Sequence, residues 1–68
     1  MNRLNLVEWL REHGYNDIRI VKIRKRYLKM WVDGKIVEVR VKGKLVLVRA
    51  YRVDPQLALV VWRFFAIP

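Results

Sequence analysis

The chain has 68 residues, room for one domain that buries only about 60% of the surface its unfolded form exposes. It contains no cysteine, serine or threonine and one histidine, His13, which excludes disulfides, Cys/His metal sets and the usual hydroxyl and thiol nucleophiles. No enzyme, cofactor or metal is expected on these grounds, and stability has to come from packing or from another chain.

Fifteen Lys/Arg against six Asp/Glu give a formal charge of +9, a field that draws polyanions such as nucleic acid or an anionic membrane surface. The opening MNRLNLVEWLREHGY carries Glu8 and Glu12 within its apolar pattern, unlike a signal or transit peptide. The greasy segment 57–68 is interrupted by Arg63 and falls short of the roughly 20 residues a spanning helix needs. A cytoplasmic protein is expected. Many Val and Arg and few thermolabile residues fit a thermophile's protein.

In chain order, Asn5 followed by Glu8 reads as a capping box opening a short helix, with Leu4 and Trp9 at staple spacing. Gly14 reads as its left-handed stop, with Tyr15 placed to touch Leu10. Leu6, Trp9, Leu10 and His13 share the face to be buried, and His13 is placed to meet the last carbonyls. From Ile18 the chain turns β-branched and aromatic, and Asp33-Gly34 between two alternating runs predicts a two-residue hairpin. That turn predicts Trp31 opposite Ile36, Lys29 opposite Glu38 and Tyr27 opposite Arg40 on one face. Met30 opposite Val37 and Leu28 opposite Val39 then form the core face. Lys42-Gly43-Lys44 predicts a second turn into a strand over 45–53, apolar on both faces at its start and therefore expected to be covered on both, by a helix, by the C-terminal segment or by a second subunit. Asp54-Pro55 reads as an N-cap with proline at the first helical position. Leu57, Val60, Val61, Phe64 and Phe65 then form one stripe, although Val60-Val61-Trp62 and Phe64-Phe65 suit a fifth strand equally. The predicted class is α+β: a short N-terminal helix, an antiparallel meander of three to four strands, and a C-terminal segment, helix or strand.

The most informative stretch is Arg19, Lys22, Arg24, Lys25, Arg26 and Lys29, with no acid between Ile18 and Val32 and with Tyr27 and Trp31 interleaved. Clustered cations suit phosphates and aromatic faces suit unpaired bases, and alternation along a strand presents both together. Arg40 joins that face through the hairpin register, and Lys42, Lys44, Arg49 and Arg52 are candidates to extend it. Gly34-Lys35 and Gly43-Lys44 lack the preceding glycine and following Ser/Thr of a phosphate loop and read as turns.

Asp33, Glu38 and Arg40 loosely echo the D…(E)xK pattern of restriction-type nucleases, but with arginine at the third position and Asp33 spent on a tight turn. In layout the chain is similar to double-stranded-RNA-binding domains. Those place a lysine cluster at the start of the last helix, where this chain reads Asp54-Pro55-Gln56-Leu57, and the family is not assigned. The residues point to a non-catalytic nucleic-acid-binding protein, expected to be homo-oligomeric, docking through Arg19, Lys22, Arg24, Lys25, Arg26, Tyr27, Lys29, Trp31 and Arg40. The alternative is an assembly subunit oligomerising through its fourth strand and through Leu57, Val60, Val61, Trp62, Phe64 and Phe65. Peripheral attachment to a membrane surface is the least favoured.

Overall fold

A four-stranded antiparallel meander carries one helix before it and one after it, both packed on the same face. The computed structural model describes residues 3–51 and 54–66. The elements are α1 (Arg3–Glu12), β1 (Ile18–Arg24), β2 (Tyr27–Val32), β3 (Lys35–Lys42), β4 (Leu45–Ala50) and α2 (Pro55–Ala66), and the strands lie side by side in chain order. The α+β class and the meander are as the residues predict.

Helix α1 begins at Arg3, two residues ahead of the expected start, so Asn5 lies inside the first turn. The Leu4 side chain, and with it the staple, lies outside the described residues. The C-terminal end follows the predicted chemistry. Gly14 has φ 95°, the left-handed conformation that costs glycine nothing, and the Tyr15 and Gly14 amides donate to the Leu10 and Arg11 carbonyls at 3.0 and 3.1 Å, which completes a Schellman motif. His13 is exposed instead of buried. Its Nδ1 donates to the Trp9 carbonyl at 2.7 Å, so it satisfies a terminal acceptor while its ring lies 4.3 Å from that of Trp9.

The hairpin between β2 and β3 turns through Asp33 and Gly34, both at positive φ (47° and 82°), as a type I′ turn requires. The register is Trp31 to Ile36, Lys29 to Glu38, Tyr27 to Arg40, Met30 to Val37 and Leu28 to Val39, each pair as predicted. Asp33 also tethers the loop before β1: its carboxylate accepts from the Asp17 amide at 2.7 Å and from the Asn16 amide at 3.2 Å. The second turn is a two-residue loop, Gly43-Lys44, closed by Lys42 opposite Leu45.

Leu6 and Leu10 of α1, Leu28, Met30, Val32, Val37 and Val39 of the sheet, and Leu57, Val60 and Val61 of α2 form the buried core. Burying a side chain of this kind contributes about 1.5–3 kcal/mol, and the core side of the sheet is apolar apart from Lys35 at its edge, which pairs with Val32, so the helices settle there. Segment 55–66 is helix. Asp54 caps it, accepting from the Leu57 amide at 3.0 Å, and Lys35 Nζ donates to the same carboxylate at 2.5 Å, tying β3 to the start of α2. Trp9 Nε1 donates to the Val60 carbonyl at 2.9 Å, which locks α1 against α2.

Two expectations are corrected. Strand β4 ends at Ala50, and within the chain it is covered on one face only, by α2. Val46, Val48 and Ala50 pack against the core, while Leu45 and Leu47 point to the uncovered face at 64% and 47% exposure. Of the six residues assigned to an interface, Leu57, Val60 and Val61 are taken up by the chain's own core and Phe64 and Phe65 are half-buried against it. Only Trp62 is left exposed, joined by Leu59.

Candidate nucleic-acid interface

Because both helices occupy one side, the other side of the sheet is open. The alternation of β2 and β3 sends Tyr27, Lys29 and Trp31 and their partners Ile36, Glu38 and Arg40 to it. Strand β1 adds Arg19 opposite Trp31, Lys22 opposite Lys29 and Arg24 opposite Tyr27. Strand β4 adds Arg49 opposite Glu38 and Leu47 opposite Arg40. A bulge between Ile20 and Lys22 lets β1 keep its isoleucines on the core side and its cations on the open side, since an extra residue resets the alternation.

Seven of the nine predicted contact residues, namely Arg19, Lys22, Arg24, Tyr27, Lys29, Trp31 and Arg40, therefore share one face. The other two, Lys25 and Arg26, form the β1–β2 turn at its end. A meander places alternate turns at the same end of the sheet, so this turn lies beside Gly43-Lys44; the Val41 amide donates to the Arg26 carbonyl at 3.0 Å. Arg24, Lys25, Arg26, Arg40, Lys42 and Lys44 thus gather at one end, although Arg26 and Arg40 stand far apart in sequence. The opposite end collects Asp17, Asp33 and Asp54. Arg52 lies outside the described residues.

At the centre of the open face, the Tyr27 and Tyr51 hydroxyls each donate to the Glu38 carboxylate, one to each oxygen. The sequence pairs Glu38 with Lys29, yet the cation that approaches it is Arg40, at 4.0 Å, whose guanidinium also lies 4.8 Å from the centre of the Tyr27 ring, within cation–π range. Those tyrosine bonds hold the Glu38 carboxyl below the usual carboxylate range, aided by Arg40 and Lys29, and the same bond raises the Tyr27 hydroxyl. The acid at the centre of the face is thereby kept ionised and occupied. Tyr51 is a residue that sequence reasoning missed; its place in the alternation of Leu45, Leu47 and Arg49 was the available signal.

Two shallow clefts mark the face. One, of about 300 Å³, is lined by Glu38, Arg40, Leu47, Arg49 and Tyr51. The other, of about 310 Å³, lies between Asp17, Arg19, Trp31 and Gly34. Trp31 is 40% exposed, so part of its ring is free for stacking. Arg19 is paired with Asp17 at 3.0 Å and exposed, an association worth little in water. Among the described residues no group of three or more His, Asp or Glu converges on a metal position, and Asp33 and Glu38 are engaged by the hydrogen bonds above. No described helix is long and apolar enough to cross a membrane. The chain matches no protein-family model, no curated protein and no solved structure.

Proposed function

We propose that this chain is a non-catalytic nucleic-acid-binding protein that docks through the open face of its sheet and the basic end beside it. The observation that carries the reading is the uncovered face itself, where Lys22, Lys29, Arg40 and Arg49 surround Trp31, Tyr27 and Tyr51. Cations at the rim suit phosphates, and a half-exposed indole among them suits a base. A single strand fits this arrangement better than a duplex, because stacking on Trp31 needs an unpaired base. The reading places the protein in the cytoplasm. Titration of the full chain with single- and double-stranded DNA and RNA at several salt concentrations tests it; absence of binding to all four at low salt refutes it.

The exposed apolar residues Leu45, Leu47, Leu59 and Trp62 favour a second reading, an assembly subunit that docks on protein. Trp62→Glu would then disrupt a complex that forms without nucleic acid. An unchanged complex, or none, argues against it.

A further inference from the structure

The two edges of the sheet are built differently. Strand β1 carries a bulge at Val21 and the cations Arg19, Lys22 and Arg24, the devices that keep a foreign strand from pairing with an edge. Strand β4 is regular over Leu45–Ala50 and has one charge, Arg49.

The hydrogen-bond phase of β4 follows from its neighbour. The Tyr51 amide donates to the Ile36 carbonyl at 2.9 Å, and the alternation of an antiparallel ladder then turns the amides and carbonyls of Arg49, Leu47 and Leu45 toward β3. Those of Val46, Val48 and Ala50 point outward, away from the sheet. Such a row is served by water or is matched group for group by another extended backbone.

The flank of α2 above this edge is apolar as well. Ala58 lines a cleft with Val48 and Ala50, while Val60 and Phe64 face Trp9 of α1 on the other flank. Helical spacing sets Trp62 one turn after Ala58 on the same flank of α2.

We propose that β4 pairs antiparallel with β4 of a second copy of this chain about a two-fold axis through Val48. This register uses all three outward residues, Val48 opposite itself and Val46 opposite Ala50, for about six backbone hydrogen bonds. It sets Arg49 across from Leu47 of the partner subunit instead of across from its own copy, so no cation on β4 faces its like. The axis also reverses the sheet ends, bringing the turn that carries Lys42 and Lys44 toward the end that carries Asp54 of the partner subunit.

Because antiparallel partners share a sheet face, the open faces of both copies lie on the same side. The result is one continuous sheet of twice four strands with a doubled basic surface. The proposal builds on the exposed strand behind the second reading and does not depend on nucleic-acid binding. A failed nucleic-acid titration leaves it standing, and a monomeric chain leaves the binding reading standing.

The test is sedimentation equilibrium of the full chain without nucleic acid, from micromolar to submillimolar, together with amide hydrogen exchange read by NMR. A mass of twice 8.3 kDa is expected, with the Val46, Val48 and Ala50 amides exchanging at least about tenfold more slowly at high concentration than at low. Val46→Pro removes an outward amide that β3 does not use, a position where an edge strand tolerates proline, and should yield the monomer mass with an unchanged far-UV circular dichroism spectrum. Should that variant fail to fold, Trp62→Lys and the parent's exchange pattern decide the matter. A parent chain at 8.3 kDa throughout, or a dimer whose three outward amides exchange freely, overturns the proposal.

Discussion

Removing both lysines of the β3–β4 turn, Lys42→Ala with Lys44→Ala, isolates the electrostatic part of binding. Neither residue is among the described ion pairs, and both are exposed at the basic end, Lys42 at the last position of β3 and Lys44 in the turn, so the fold loses no packing with them. If about five cations of the open face and basic end engage duplex phosphates, log K falls with log salt at a slope of about −4.5, or about −3.5 on a single strand. A rise from 50 to 200 mM salt then weakens duplex binding by about 500-fold. With two of the five gone the slope drops to about −2.7, and the same rise costs only about 40-fold. Fluorescence anisotropy at four or five salt concentrations reads both slopes directly. An unchanged slope in the double variant would show that the basic end does not touch phosphate and that the charge gathered there serves another purpose.

Trp31→Ala should weaken single-strand binding by about 1–3 kcal/mol while leaving the salt slope unaltered; equal loss on duplex and single strand would contradict stacking. Leu28 is fully buried, and Leu28→Ala should cost about 2–5 kcal/mol, a large share of the stability of so small a domain, read as a fall in the urea midpoint. Because the folded-state pKa of Glu38 is depressed by its tyrosine donors, its contribution is present above the unfolded value of about 4.3 and is lost as pH falls through the folded value. The acid limb of stability should therefore be shallower in Glu38→Gln than in the parent, measured by thermal melts from neutral to acid pH. Identical limbs would mean that the carboxylate is as solvated when folded as when unfolded.

Local chemistry carried much of the fold. A two-residue turn with positive φ at both positions leaves one hairpin register, so Asp33-Gly34 settled which of the residues 27–32 and 35–40 look inward. Gly14 and Asp54-Pro55 marked a helix end and a helix start by the same kind of short-range bonding. The first helix starts two residues ahead of Asn5, since a helix start depends on a few local bonds that a single residue does not fix. The helix–strand ambiguity of 55–66 was resolved by tertiary packing: Leu57, Val60 and Val61 reach the core side of the sheet together only when spaced around a helix.

What the sequence determined by itself was the pairing of Tyr27, Lys29 and Trp31 with Ile36, Glu38 and Arg40, because register and alternation are local consequences of one turn. Only the tertiary structure decided that this face stays uncovered, that Tyr27 and Tyr51 hold Glu38 between them, and that Lys25-Arg26 meets Gly43-Lys44 at one end. Those depend on which side the helices choose and on the meander bringing distant turns together, and both are set by the burial of the whole apolar surface at once.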